Sequence, residues 1–375
     1  MIRVLFIIRR LVQGGAERQL VELVKHLDKA LFDISVISFY AGGALWDEAN
    51  SIPGVHIGHI GKKSRWNVGS LTRIAAYVRR VRPHIVHGYM DLANVSALMA
   101  KPMGARVVWG IRASEVDMSH YDYMRGLALQ LETWLAPFAD LIICNSESAR
   151  AQAIARRFPA NRTIVIPNGI DTDRFRPDPV SRGRIRAEWR VGTNQFLIGS
   201  VARFDPMKGQ SDFLAAARLV AARHEDVRFV LIGDGPEDYR RGLQEVATRE
   251  GLQKKLIWAG ARSDIAAVFS ALDLSVSASL FGEGFSNALA ESMACGIPCI
   301  ATDVGDSAKI VGKLGWLVRP GDPIGLAEQM CSAMQMCLDG RVRSDLLRSH
   351  VEREYGTGKL AESTTAALSG LIRRL

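Results

Sequence analysis

Short apolar runs, each closing on a turn and followed by a helical pattern, recur along this chain in two series. The first series has runs at residues 3–8, 34–39, 55–60, 85–87, 106–110, 141–144 and 164–166. The second has them at 196–201, 228–232, 256–258, 272–277, 299–301 and 317–318. Helical periodicity fills the gaps: after the first run, Leu20, Leu23, Val24 and Leu27 fall on one helix face. Strands alternating with helices predict parallel sheets. A chain of 375 residues is long enough for two such domains, each with its own core. The expected fold class is therefore α/β, with two Rossmann-like, doubly wound domains facing across a cleft. The proline- and charge-rich residues 171–179 read as the linker. Ligands of such sheets sit beyond the carboxyl ends of the strands. Arg112, Asn145, Arg203, Lys208, Gly235, Arg262 and Glu283 all fall at such ends.

The stretch 281–302, FGEGFSNALAESMACGIPCIAT, carries the strongest local signal. Gly282 and Gly284 bracket Glu283, and a helical pattern follows. Gly296 is placed to end that helix and Pro298 prevents its continuation. A helix start presents unpaired amides and the positive end of the helix dipole, which suits an anion such as phosphate. The amides of Phe285, Ser286 and Asn287 are the expected cradle. Glu283 would stand at its mouth, with Glu291 two turns on. An ordinary βα turn with a solvated glutamate pair is the plainer alternative. Gly14 and Gly15 open a similar strand–loop–helix unit near the amino terminus, a second candidate approach for the donor phosphates. The spaced dinucleotide fingerprint is absent there.

Composition narrows the class. No apolar run approaches the roughly 20 residues that span a bilayer. The first run is stopped by Arg9 and Arg10, too soon for a signal-peptide core, so a cytoplasmic location is expected. The five cysteines are odd in number and lack C-x-x-C spacing, which predicts reduced core thiols. The net charge of +9 favours anionic partners without choosing among them. Residues 62–82 carry Lys62, Lys63, Arg65, Arg73, Arg79, Arg80 and Arg82, with Trp66, Leu71, Ile74 and Val78 interleaved. This pattern fits an anionic membrane surface, or a helix whose apolar side packs on its own sheet.

Taken together, these pieces resemble a family-4 (group 1) retaining glycosyltransferase of GT-B architecture. Residues 283–291 match its E-x7-E motif. Support comes from Gly14-Gly15-Ala16-Glu17, from residues 166–171 (IPNGID), from Arg203 with Lys208-Gly209, and from residues 233–236 (GDGP). The resemblance implies an acceptor-side domain over 1–175, a donor domain over 176–355, and a final helix over 356–375 that crosses back to the first domain and limits closure. It implies transfer of a sugar from a nucleotide-sugar donor, uridine rather than guanosine, to a glycan or lipid-linked acceptor, as in cell-surface polysaccharide synthesis. Arg203 and Lys208 match the pair that neutralises the donor diphosphate, Glu291 the ribose ligand, and Glu283 the residue beside the donor sugar. Arg262 matches a position near the base. No cofactor or metal is expected, and Asp171-Thr172-Asp173 reads as a turn. Peripheral contact with an anionic membrane is one of the two readings of residues 62–82, and nucleic acid is not expected as a partner.

One departure stands out. Where many relatives carry a histidine after the strand at 106–110, this chain has Arg112. Arginine cannot act as a base near neutral pH. Arg112 and Asn145 are therefore candidates for binding an acceptor or the donor sugar, while His87 reads as an ordinary strand-end residue. Two other readings fit the same residues less fully. One is a nucleotide-sugar epimerase or hydrolase of the same architecture. The other is a non-catalytic anion-binding protein.

Overall fold

A parallel strand covered on both faces is apolar without alternation, and Val4, Leu5, Phe6 and Ile7 are all fully buried. They belong to β1 (Ile2–Ile8). The structure, a computed structural model, describes residues 1–12, 14–61, 69–112 and 123–373. The first sheet also contains β2 (Phe32–Ser38), β3 (Val55–His59), β4 (Ile85–Tyr89), β5 (Arg106–Ile111), β6 (Leu141–Cys144) and β7 (Thr163–Val165). Its order is β3-β2-β1-β4-β5-β6-β7, and every pairing is parallel. The second sheet contains β8 (Phe196–Val201), β9 (Val227–Ile232), β10 (Leu256–Gly260), β11 (Leu274–Ser277), β12 (Cys299–Thr302) and β13 (Trp316–Val318). Its order is β10-β9-β8-β11-β12-β13, again all parallel. The two doubly wound sheets are thus as the strand–helix alternation predicts.

The chain divides into one unit of Met1–Gly169 with Thr357–Leu375, and another of Ile170–Gly356. Residues 171–179, expected as a linker, are instead part of the second unit. Phe175 is buried there, with its ring 6.3 Å from that of Phe269. Arg348 donates to Thr172 O and Phe175 O, each at 2.9 Å. Prolines and charges in this stretch mark a packed irregular segment whose carbonyls are satisfied by a guanidinium. Asp171 Oδ1 accepts from the amides of Asp173 and Arg174, closing a local turn.

The final helix, Thr357–Arg373, packs on the helix Gly15–His26 within the first unit. Leu360 and Leu368 enter the same core as Val4, Phe6 and Leu20. Gln19 fixes the far end of this unit through paired amide hydrogen bonds with Gly169, at 2.8 and 2.7 Å.

Helix Gly69–Val81 carries the described part of the basic segment. Ile74 and Val78 are buried in the core, and Arg73 donates to Ile60 O and Gly61 O. Ile74 and Val78 are therefore spent on the helix's own sheet. Lys62, Lys63, Arg65 and Trp66 lie outside the described residues, as does the side chain of Leu71. No described helix is long and apolar enough to cross a membrane. All five cysteines are free thiols. Burial pushes Cys144, Cys295 and Cys299 up to about 12, which leaves them as inert packing groups at neutral pH.

Candidate active site

In the second sheet the strand order reverses between β8 and β11. Helices that follow the two strands cover opposite faces there, so the loops beyond their carboxyl ends part and leave room for a ligand. The loop after β8 carries Arg203 and Lys208, and the loop after β11 carries Ser279 and Glu283. Asp205 Oδ1 accepts from Met207 N at 3.1 Å and caps the single turn Pro206–Lys208. Gly209 follows at φ +64, with Ala278 O so close that a β-carbon would lie 1.9 Å from it. Leu280 N donates to Met207 O at 2.7 Å. These contacts lace the two loops together, and only glycine fits the crossing.

The lacing brings Lys208 Nζ into a charge-assisted hydrogen bond with Glu283 Oε1. Ser279 Oγ donates to the same oxygen at 2.7 Å. Glu283 is only 7% exposed, so its charge is held by these partners and not by water. Thr302 Oγ1 donates to Ser279 O at 2.5 Å, and Asp306 N to Gly284 O at 3.0 Å. Gly305, at φ +62, lies against Glu283 O, where a β-carbon would come within 2.3 Å. The carboxylate is thus fixed from both chain directions.

The helix Asn287–Ala294 starts beside it. Ser286 is its N-cap residue and makes no side-chain hydrogen bond to the helix amides. Phe285 is buried, its ring edge-on to Tyr355 at 5.2 Å, so this residue offers its backbone to the site. Glu291 lies on the same helix, one turn past Asn287, and is partly exposed. Arg203 reaches Asp205 at 2.7 Å, and its side chain is 67% exposed. The structure therefore brings Lys208, Glu283 and the helix start together, with Arg203 at the rim. Arg262, expected beside a base, is otherwise engaged. Its Nε and Nη2 donate to Asp264, and its Nη1 to Glu188 at 2.5 Å. These hydrogen bonds hold its pKa above the usual arginine range and tie down the loop after β10.

The first unit holds the other candidates. Gly14 is the extended N-cap of the helix Gly15–His26. Arg112 donates from Nη2 to Tyr89 Oη at 2.9 Å and from Nη1 to Asn168 Oδ1 at 3.2 Å. Its guanidinium lies over the Tyr89 ring at 4.6 Å. Asn145 Nδ2 donates to Arg112 O at 3.2 Å. Among the described residues Arg112 Nε and Asn145 Oδ1 are buried without a hydrogen-bond partner. This is an anchored cation with binding capacity in reserve. Tyr89 and Asn168 join the site only through the tertiary structure. Asn168 stands in the 166–171 motif, whereas nothing local marks Tyr89. Ser279 also gave no signal, because its role depends on the loop crossing at Gly209.

His87, expected at a strand end, lies inside β4 and is fully buried. Burial first, and then the charge of Arg112, holds its pKa well below the usual imidazole range. The folded chain keeps it neutral, while the unfolded chain protonates it. Its contribution to stability is fully present above about pH 6.5 and is lost as pH falls below that, by up to about 1.4 kcal/mol per unit. Urea unfolding between pH 7 and pH 5 should show a steeper loss for the native chain than for His87→Phe. Equal slopes would remove His87 as the cause.

A family profile described as "Glycosyltransferase Family 4" matches residues 13–174, and one described as "Glycosyl transferases group 1" matches residues 195–336. The chain is 28% identical over 288 residues to the 2-deoxystreptamine glucosyltransferase of Streptomyces kanamyceticus, covering 72% of this chain and 73% of that protein. It is 29% identical over 241 residues to a GDP-mannose-dependent alpha-(1-6)-phosphatidylinositol monomannoside mannosyltransferase of Mycolicibacterium smegmatis, covering 62% of this chain and 61% of that protein. Among solved structures, Anabaena HepE in complex with UDP and glucose superposes with a TM-score of 0.84 at 23% identity, covering 98% of this chain and 100% of that one. That likeness is one of fold.

Proposed function

Because the chain belongs to the family 4, group 1 glycosyltransferases, with the two parallel-sheet units of GT-B architecture, we propose that it transfers a sugar from a nucleotide-sugar donor to a glycan or lipid-linked acceptor, with retention at the anomeric carbon. The observation that carries this reading is the Lys208–Glu283 pair at the reversal point of the second sheet. A nucleoside diphosphate leaves with growing negative charge, and fixed cations and amides lower that barrier. Lys208 has three N–H donors, so it can hold Glu283 and still meet a phosphate oxygen. Arg203 swings from Asp205 to the outer phosphate. The amides at Ser286 and Asn287 complete the cradle, and Glu291 takes the ribose diol. Glu283, held in place, faces the donor sugar and supports positive charge at the anomeric carbon. No step in this scheme calls on a metal. A role in cell-surface polysaccharide synthesis is part of the same reading.

UDP is the first donor nucleotide to test, since HepE, which shares the fold, holds UDP and glucose. GDP is the second, given the mannosyltransferase among the relatives. Free UDP at a hundred times its Kd should stabilise the protein by about 2.7 kcal/mol, a rise of several degrees in Tm. No shift with either nucleotide would sink the donor site. The product anomer, read by NMR, decides retention. Among the described residues, membrane contact rests on the charge of exposed residues such as Arg79 and Arg82. It predicts co-sedimentation with anionic vesicles that 0.5 M salt abolishes, on the order of a Debye length of a few ångströms; co-sedimentation that survives this salt, or none at low salt, rejects it.

A further inference from the structure

The reversal point of the first sheet lies between β1 and β4. Beside it is a pocket of about 300 Å³ lined by Arg9, Arg10, Val12, Glu17 and Tyr40. None of these residues belongs to the donor machinery of the second unit. Its walls are tied in place. Phe39 N donates to Ile8 O and Arg9 O at 3.2 Å, and Leu45 N donates to Leu11 O at 3.0 Å. Gly43, at φ +127, presses on Leu11 O, where a β-carbon would come within 2.1 Å. Ser38 Oγ donates to Tyr40 O at 2.6 Å.

The charges in this pocket are divided. Arg10 lies with its guanidinium over the Tyr40 ring at 5.3 Å, which orders it without using its N–H donors. Among the described residues neither Arg9 nor Arg10 is in a salt bridge within 4 Å. Glu17 folds back over the helix start, near Gly14. Burial raises its pKa, opposed by its own backbone hydrogen bond and by the charge of Arg9. An anionic group can draw on the N–H donors of both exposed arginines, which an uncharged sugar leaves to water. A bare anion would meet Glu17. A ligand with both an anionic group and hydroxyls satisfies all three side chains.

We propose that this pocket binds an anionic monosaccharide unit of the acceptor, its carboxylate or phosphate between Arg9 and Arg10 and its hydroxyls toward Glu17. The word acceptor rests on the glycosyl-transfer reading above; the ligand chemistry does not. Saturation-transfer NMR on the full chain with glucuronate, glucose 6-phosphate and methyl glucoside tests it, alongside UDP titration. Either anionic sugar should bind about tenfold better than methyl glucoside, and Arg9→Gln/Arg10→Gln should erase that advantage. Arg10→Glu, a single change at an exposed site, should do the same. UDP affinity should stay within about twofold, since its site is elsewhere. Binding of glucuronate alone assigns a carboxylate, and of glucose 6-phosphate alone a phosphate. The proposal is overturned if methyl glucoside binds as well as both anions, or if the advantage survives the variants. A parallel loss of UDP affinity also overturns it, by giving the pocket to the donor. Failure of UDP to bind the native chain would instead remove the donor reading and leave the sugar titrations to stand or fall separately.

Discussion

Lys208→Ala should lower kcat/KM for sugar transfer about a hundredfold, equivalent to roughly 3 kcal/mol of barrier. Two effects combine. The leaving diphosphate loses a fixed cation. Glu283, nearly buried, loses its charge-assisted hydrogen bond once Lys208 is gone. The second effect should appear as lost stability, about 1–3 kcal/mol in urea unfolding. The double variant Lys208→Ala/Glu283→Gln separates them. Removing the charge on Glu283 should restore much of the stability, because a neutral amide tolerates the site without a cation. It should not restore turnover. If the double variant regains activity, Lys208 serves only to hold Glu283. Native turnover by folded Lys208→Ala would end the leaving-group assignment altogether.

The C-terminal helix should matter first for folding. From sequence it is expected to control closure, so that deleting residues 361–375 would raise the share of donor lost to water. The structure shows what the deletion removes. Leu368 is fully buried, and Ala367, Leu371 and Ile372 pack on the core of the first unit. Losing that cover should cost on the order of 5 kcal/mol or more. Domain stabilities are about 5–15 kcal/mol, so the first unit of the truncated chain should not fold stably. Calorimetry of the truncated chain should then keep a transition for the second unit and lose the other. Leu368→Ala is the gentler form, with an expected loss of about 3 kcal/mol. An unchanged melting profile for both variants would return the helix to a purely conformational role.

The two sheets were legible because a parallel strand covered on both faces must be a continuous apolar run, and such runs survive any change of neighbours. The runs at 3–8 and 196–201 match β1 and β8 nearly residue for residue. The helix Asn287–Ala294 was legible for a local reason too, since Gly296 at φ +76 ends it. Other elements were not. The helix Glu237–Arg249 buries only Leu243 and Ala247, too few positions to stand out in the pattern. Residues 171–179 looked like a linker because what packs them, Arg348 and Phe269, is distant in sequence.

The same division runs through the site. Sequence alone placed Arg203, Lys208, Glu283 and the start of the Asn287 helix at strand ends, because the residue types and the turn glycines are local facts. It could not pair Lys208 with Glu283, recruit Ser279, or assign Arg262 to Glu188 and Asp264. It also could not see His87 buried beside Arg112, or two arginines sharing a pocket with Glu17. Each of these depends on which strands become neighbours and on which loops cross at Gly209, Gly305 and Gly43. Strand order is set by the packing of the whole sheet, so side-chain partnership across it belongs to the tertiary structure.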